Sequence, residues 1–144
     1  MQLSNPLPSR SVTFLAIALC ILTLGCQKSE ERVATFPVSG KVLKGGAPIN
    51  YATIVFHPVN ASDTATEKPR GITNPDGTFQ LTTYDGNDGA PAGSYQVTIQ
   101  QWLTEKPEEG PKNRLKEKYS DPKTSPLTAT ISEGSNDALT FSVD

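Results

Sequence analysis

Apolar residues return at every second position in seven short stretches of this chain, the period of a strand rather than a helix. Tyr95, Val97 and Ile99 alternate with Gln96, Thr98 and Gln100. Ala52, Ile54 and Phe56 alternate with Thr53, Val55 and His57, and Leu139, Phe141 and Val143 with Thr140 and Ser142. Val38 and Val42, Ile72 in "RGIT", Phe79 and Leu81, and Leu127, Ala129 and Ile131 complete the set. Each stretch carries one apolar and one polar face, as antiparallel sheets with one wet side require.

Turn chemistry falls between the stretches. "KGGAP" (44–48) separates the first two. "NPDG" (74–77) sets Asn, Pro and Gly where a type I turn prefers them, so the third and fourth strands are expected to form a hairpin. "EGSND" (133–137) predicts the same for the last pair. The expectation is an all-β, seven-stranded antiparallel β-sandwich over residues 36–144. One segment departs from the pattern: 104–125 is long, charged and Pro-rich, and reads as a short helical or irregular insertion before the last two strands. Within it "KNRLKEKY" has Leu115 and Tyr119 at i,i+4, enough for about two helical turns. The Asp121-Pro122 pair would stop it, since a residue before proline avoids the helical region.

The first 25 residues have a different character. Arg10 precedes an apolar run, Ser11 to Leu24, whose helical length of roughly 21 Å falls short of the ~30 Å hydrocarbon core. That is the signature of a signal peptide rather than a spanning helix. "LTLGC" (22–26) then resembles the lipobox of bacterial lipoproteins, with Gly25 before Cys26 and Leu22 one step away from the favoured place. The resemblance implies diacylation of Cys26 and cleavage before it; ordinary signal cleavage or an uncleaved signal anchor are the alternatives. Cys20 sits inside the apolar run and fits cleavage poorly. Residues 26–35, charged and without period, read as a flexible tether. The implied address is an exported, membrane-anchored lipoprotein of the outer membrane or cell surface, with the membrane as one partner. Gln27, not being Asp, favours the outer membrane under the enterobacterial sorting rule.

Charge narrows the partners. Lys and Arg number 13 against 15 Asp and Glu, a net charge of −2. Loss of Arg10 with the signal makes the remainder one unit more acidic, which argues against nucleic acid, whose phosphates call for a basic patch. With Cys26 lipidated no disulfide is possible. The remaining chain of roughly 120 residues is nevertheless well above the ~40 at which a core alone becomes insufficient.

"GKVLKGGAPINYATIVF" (40–56), "GITNPDGTFQL" (71–81) and "GAPAGSYQVTI" (89–99) resemble successive pieces of carboxypeptidase regulatory-like domains, which have a transthyretin-like sandwich within the broader Ig-like class. The matching positions are Gly46, Pro48, Ala52, Thr73, Asp76, Gly77, Phe79, Pro91, Gly93, Tyr95 and Val97. They cover residues 36–101 well and the last two strands more loosely. These are turn and core positions, so the resemblance implies a fold and no catalytic residue.

The candidate chemistry is sparse. "YDGNDGAPAG" (84–93) gathers Asp85, Asn87 and Asp88 as candidate calcium ligands, but position 5 of an EF-hand count from Asp85 is Gly89 and position 12 is Gln96. Turn chemistry explains the same residues. His57, the single histidine, lies in a strand with no H-E-x-x-H, C-x-x-C or G-x-S-x-G beside it. The enzymatic transthyretin relatives use several histidines and a C-terminal tetrapeptide, both missing here. "NAS" at 60–62 is only formally a glycosylation acceptor. Trp102, with Tyr84 and Tyr119, forms a candidate aromatic surface for a sugar; plugging one end of the sandwich is the other use of such rings.

Two functions stay open: a lipid-anchored, non-catalytic envelope module that binds a protein, peptide or glycan or serves a structural role, and a loop-based hydrolase or other enzyme. The scarcity of catalytic constellations favours the first. No catalytic residue and no cofactor are expected.

Overall fold

The computed structural model describes residues 32–60 and 67–144. The signal segment, Cys20, Cys26 and the tether as far as residue 31 lie outside the described residues, as do residues 61 and 62 of the "NAS" site.

Ten strands are present among the described residues: β1 (Val38–Lys44), β2 (Ala47–Pro48), β3 (Thr53–Pro58), β4 (Arg70–Ile72), β5 (Thr78–Gln80), β6 (Gly93–Gln100), β7 (Trp102–Leu103), β8 (Lys112–Asn113), β9 (Thr128–Ile131) and β10 (Asn136–Val143). Each of the seven alternating stretches contains a strand. The expected count is nonetheless corrected, because β2, β7 and β8 are two-residue ladders with no alternation to read. The described residues contain no α-helix.

In the first sheet β1 is central. β10 takes one edge of it, while β5 and β2 share the other. The second sheet runs β4-β3-β6-β9, antiparallel throughout. β7 and β8 form a separate ribbon. The inward residues of both sheets meet in one core, where Phe56 lies edge-on to Phe141 at 6.0 Å and 5.6 Å from Tyr95, and Phe79 lies 6.1 Å from Phe141. These rings join the sheets, since Phe79 and Phe141 come from the first and Phe56 and Tyr95 from the second.

Both expected hairpins are corrected. "NPDG" does make its turn, with Gly77 N–H donating to the Asn74 carbonyl (2.9 Å) and Asp76 accepting from Thr78. Yet β4 pairs with β3 in the second sheet and β5 with β1 in the first. Their flanks keep the hairpin register, since Arg70 and Thr82 exchange two backbone bonds and Asn74 N–H donates to the Thr78 carbonyl (2.8 Å). Among the described residues no ladder joins the two strands themselves. Thr73 holds β4 to its own sheet: it exchanges hydrogen bonds with Ala52 and accepts one from Tyr51, which prolongs the ladder between β3 and β4 up to the turn. The last turn also changes sheets. Asn136 accepts from Ser132 N–H, donates to the Ser132 and Gly134 carbonyls, and starts β10 on β1 through the Pro37 carbonyl. β10 therefore runs parallel to β1, which corrects the purely antiparallel expectation.

Ile72 is 63% exposed, although it supplied the apolar signal of its stretch. Gly71 stands opposite buried Ile54, and a Cβ there would lie 2.5 Å from the Gln80 carbonyl oxygen. The inward position of β4 is thus kept bare so that β5 can approach.

The insertion packs against the sandwich, but "KNRLKEKY" is not a helix of two turns. Lys112 and Asn113 are extended against Leu103 and Trp102, and Asn113 Oδ1 accepts from Gln101 and Leu115 N–H, bonds that compete with a helix. A single 3-10 turn, Glu117–Tyr119, follows. Leu115 and Tyr119 still reach the core, closing the end marked by Lys44, Gln100 and Val143. Residues beyond the turn run beside β6, where Ser125 Oγ donates to the Val97 carbonyl (2.5 Å) and the Gln96 amide to the Ser125 and Leu127 carbonyls. Thr98 is buried beneath them on what would otherwise be a wet face.

Candidate functional site

The eight residues of β6 separate the two candidate regions by about 26 Å at ~3.3 Å per residue. Loop 82–92 precedes the strand; Trp102 follows it. The structure therefore keeps Tyr84 away from Trp102, and the three aromatics do not form one platform.

In loop 82–92, Asp88 organises the backbone. Its carboxylate accepts from the N–H groups of Thr83 (2.7 Å), Tyr84 (3.0 Å) and Asp85 (3.2 Å). Asn87, at φ 62, donates its N–H to Thr82 Oγ1. Asp85 turns outward to Arg32 at 2.6 Å, and the Arg32 guanidinium lies 5.2 Å above the Tyr84 ring, whose hydroxyl accepts from Val33 N–H. Asp85, Asn87 and Asp88 thus have separate bonding roles, and among the described residues no three His, Cys, Asp or Glu are grouped to hold a metal ion. Arg32 and Val33, read in sequence as tether, are instead docked on this loop. No local pattern signals that contact, because its partners are more than fifty residues away.

His57 is half-buried on the outer face of β3, with Nε2 2.9 Å from Thr98 Oγ1. Burial, then Lys68, push its pKa below the ordinary 6.5, against the opposing influence of Asp121. Protonation is therefore harder in the folded state than in the unfolded one. Its contribution is complete above the unfolded pKa and is lost as pH falls through the lowered folded value. Urea midpoints measured from about pH 7.5 down to about pH 5 should fall for the native chain and fall less for His57→Gln. Equal slopes would contradict this assignment.

At the opposite end Trp102 is 54% exposed and its indole N–H donates to Gln100 Oε1 (3.1 Å), which fixes the ring while leaving it in solvent. Tyr119 is buried and offers no ring to a ligand; its hydroxyl donates to the Asp144 carboxylate. Lys116, Tyr119 and Lys118, in that order, hold the Asp144 carboxyl far below the usual carboxylate range. Sequence reasoning missed Tyr51. It is 60% exposed at φ 51, and the pairing of Thr53 with Gln100 puts the residues just beyond, Tyr51 and Trp102, at the same end of the ladder. Asn50 and Gln101 are bonded there through the Gln101 amide and the Asn50 carbonyl (2.8 Å). The signal was available in retrospect, an aromatic directly after "PIN" and outside the alternation. This end exposes the Trp102 and Tyr51 rings beside the bonded Asn50–Gln101 pair. Compared with protein-family models, with curated proteins and with solved structures, the chain matches none.

Proposed function

We propose that this chain is a lipid-anchored, non-catalytic cell-envelope module, a transthyretin-like β-sandwich held to the membrane through Cys26. The strand order supports the fold assignment: β4-β3-β6-β9 opposes a sheet in which central β1 meets β5 on one side and parallel β10 on the other. One observation carries the non-catalytic reading. Four polar side chains capable of chemistry are tied to the backbone or to another side chain: Asp88 to three N–H groups, Asp76 to Thr78, His57 to Thr98 and Tyr119 to Asp144. The contact surface for an envelope protein, peptide or glycan is the end bearing Trp102 and Tyr51.

The anchor is tested in cells. Two or more acyl chains give stable attachment where one is marginal. Cys26→Ala should abolish incorporation of labelled fatty acid and leave unprocessed precursor, and unchanged labelling would refute the anchor. A hydrolytic activity that purifies with the native chain and disappears in a folded His57→Ala or Asp85→Ala variant would refute the non-catalytic reading.

A further inference from the structure

Three large apolar side chains exposed among the described residues, Tyr51, Ile72 and Trp102, gather at one end of the second sheet. Thr53 pairs with Ile72 on one side and with Gln100 on the other. Tyr51 and Trp102, two residues from Thr53 and Gln100, continue that row beyond the ladder. The Trp102 indole has given its N–H to Gln100 and so presents its faces to solvent. Tyr51 holds its exposed ring at φ 51, a conformation that residues other than glycine adopt rarely. The row runs into a groove of about 510 Å³ beside β4, which Thr53 and Ile72 also line. Arg70 is the only charged residue lining it. Its pairing with Glu67 is loose, 3.9 Å between two exposed side chains, so the guanidinium keeps most of its donors for another acceptor. Gln80 and Asn87 line the same groove, and among the described residues their side-chain amides have no hydrogen-bond partner.

We propose, on the reading of this end as a contact surface, that groove and rings together bind an acidic glycan. Its carboxylates pair with Arg70 in the groove, and its sugar rings lie against Trp102 and Tyr51. The chemistry of the surface selects that ligand. Side-chain amides and hydroxyls both donate and accept, as a chain of sugar hydroxyls requires. The planar guanidinium matches a carboxylate through two parallel bonds. Exposed aromatic faces cover the apolar face of a sugar ring. No residue lining the groove is acidic, so none of them repels the carboxylate. An added peptide strand is disfavoured, because Arg70 and Thr82 already exchange both backbone bonds across that edge of β4. A larger hollow of about 620 Å³, on the first sheet, suits an anion less well. Its one cation, Lys41, already acts on the Asp76 carboxylate.

The test uses the full chain solubilised in detergent, with a short oligogalacturonate as the probe. Trp102 is the only tryptophan of the chain, so its emission reports this surface directly. Titration should change that emission saturably, and the affinity should fall as salt is raised. The same oligomer with its carboxyl groups reduced to alcohols should bind about tenfold more weakly. Calorimetry on Arg70→Gln, with its fold checked by urea unfolding, should show a similar loss for the acidic oligomer. Arg70→Lys should lose less, since it keeps the charge without the fork. Gln80→Ala/Asn87→Ala should weaken both oligomers several-fold. No response to the acidic oligomer, equal affinity for its reduced form, or native affinity in Arg70→Gln would each overturn the proposal. An oligoglutamate peptide that binds as tightly, with the same dependence on Arg70, would overturn the glycan and leave the contact surface standing.

Discussion

Phe56→Ala is expected to cost about 3–5 kcal/mol of folding stability, the range for removing a buried aromatic side chain. Phe56 has no exposed surface, and its ring contacts Tyr95 of its own sheet and Phe141 of the other. Truncation removes apolar burial and two ring contacts together, and the surrounding strands are too firmly paired to collapse into the space. A domain of this size has typically ~5–15 kcal/mol in total, so about a fifth or more would be lost. Equilibrium urea unfolding should show the midpoint falling sharply with the slope unchanged. Phe56→Leu, which keeps most of the volume, should lose far less. A loss below about 1 kcal/mol for Phe56→Ala would mean that the sheets do not meet at this ring.

Much of this core was legible because a period of two fixes which side chains share a face. It does not fix which sheet a strand joins. "NPDG" and "EGSND" specify a change of direction over four or five residues, and the same local chemistry serves a hairpin or a crossing between sheets. The bonds that decide, from Thr73 to Ala52 and from Asn136 to Pro37, involve residues distant in sequence. Ile72 shows the limit of the period itself. In a three-residue strand one apolar side chain sets no face, and the close approach of Gln80 at Gly71 reverses it. Leu115 and Tyr119 were placed together by helical spacing and both reach the core, but the conformation between them was decided by the Asn113 side chain, which no spacing rule reports.

The candidate site was less legible for a related reason. Residue type says what Asp88 or Tyr119 can bond, whereas the fold says what each does bond. Asp88 turned inward to its own loop and Tyr119 to Asp144, while Tyr51, which carries no motif, emerged at the exposed end. Of the two uses open to Trp102, a surface ring or a plug, the structure shows an exposed ring, because the insertion that buries Tyr119 runs along β6.

Gly89→Ala is expected to cost about 3–4 kcal/mol, although it adds a single methyl group. Gly89 is buried at φ 88, in the region that L-residues occupy only under strain of roughly 1–2 kcal/mol. Its missing Cβ would overlap the Phe36 carbonyl, lying 2.5 Å from the carbonyl carbon and 2.9 Å from Pro37 Cα. Those are backbone atoms that cannot swing aside. Phe36 and Ala90 exchange two hydrogen bonds of 2.9 and 3.0 Å, and Gly89 N–H donates to the Leu81 carbonyl at 3.0 Å. Relief would have to separate the chain before β1 from loop 82–92, breaking the bridge that seats β1. Gly86, three residues earlier in the same loop, has nothing within 4 Å of an added Cβ. Gly86→Ala should therefore stay within about 0.5 kcal/mol of the native chain. Thermal unfolding of the two variants separates conformational strain at one position from a general intolerance of the loop. Similar melting temperatures for Gly86→Ala and Gly89→Ala would show that the contact between Phe36 and Gly89 does not limit the fold.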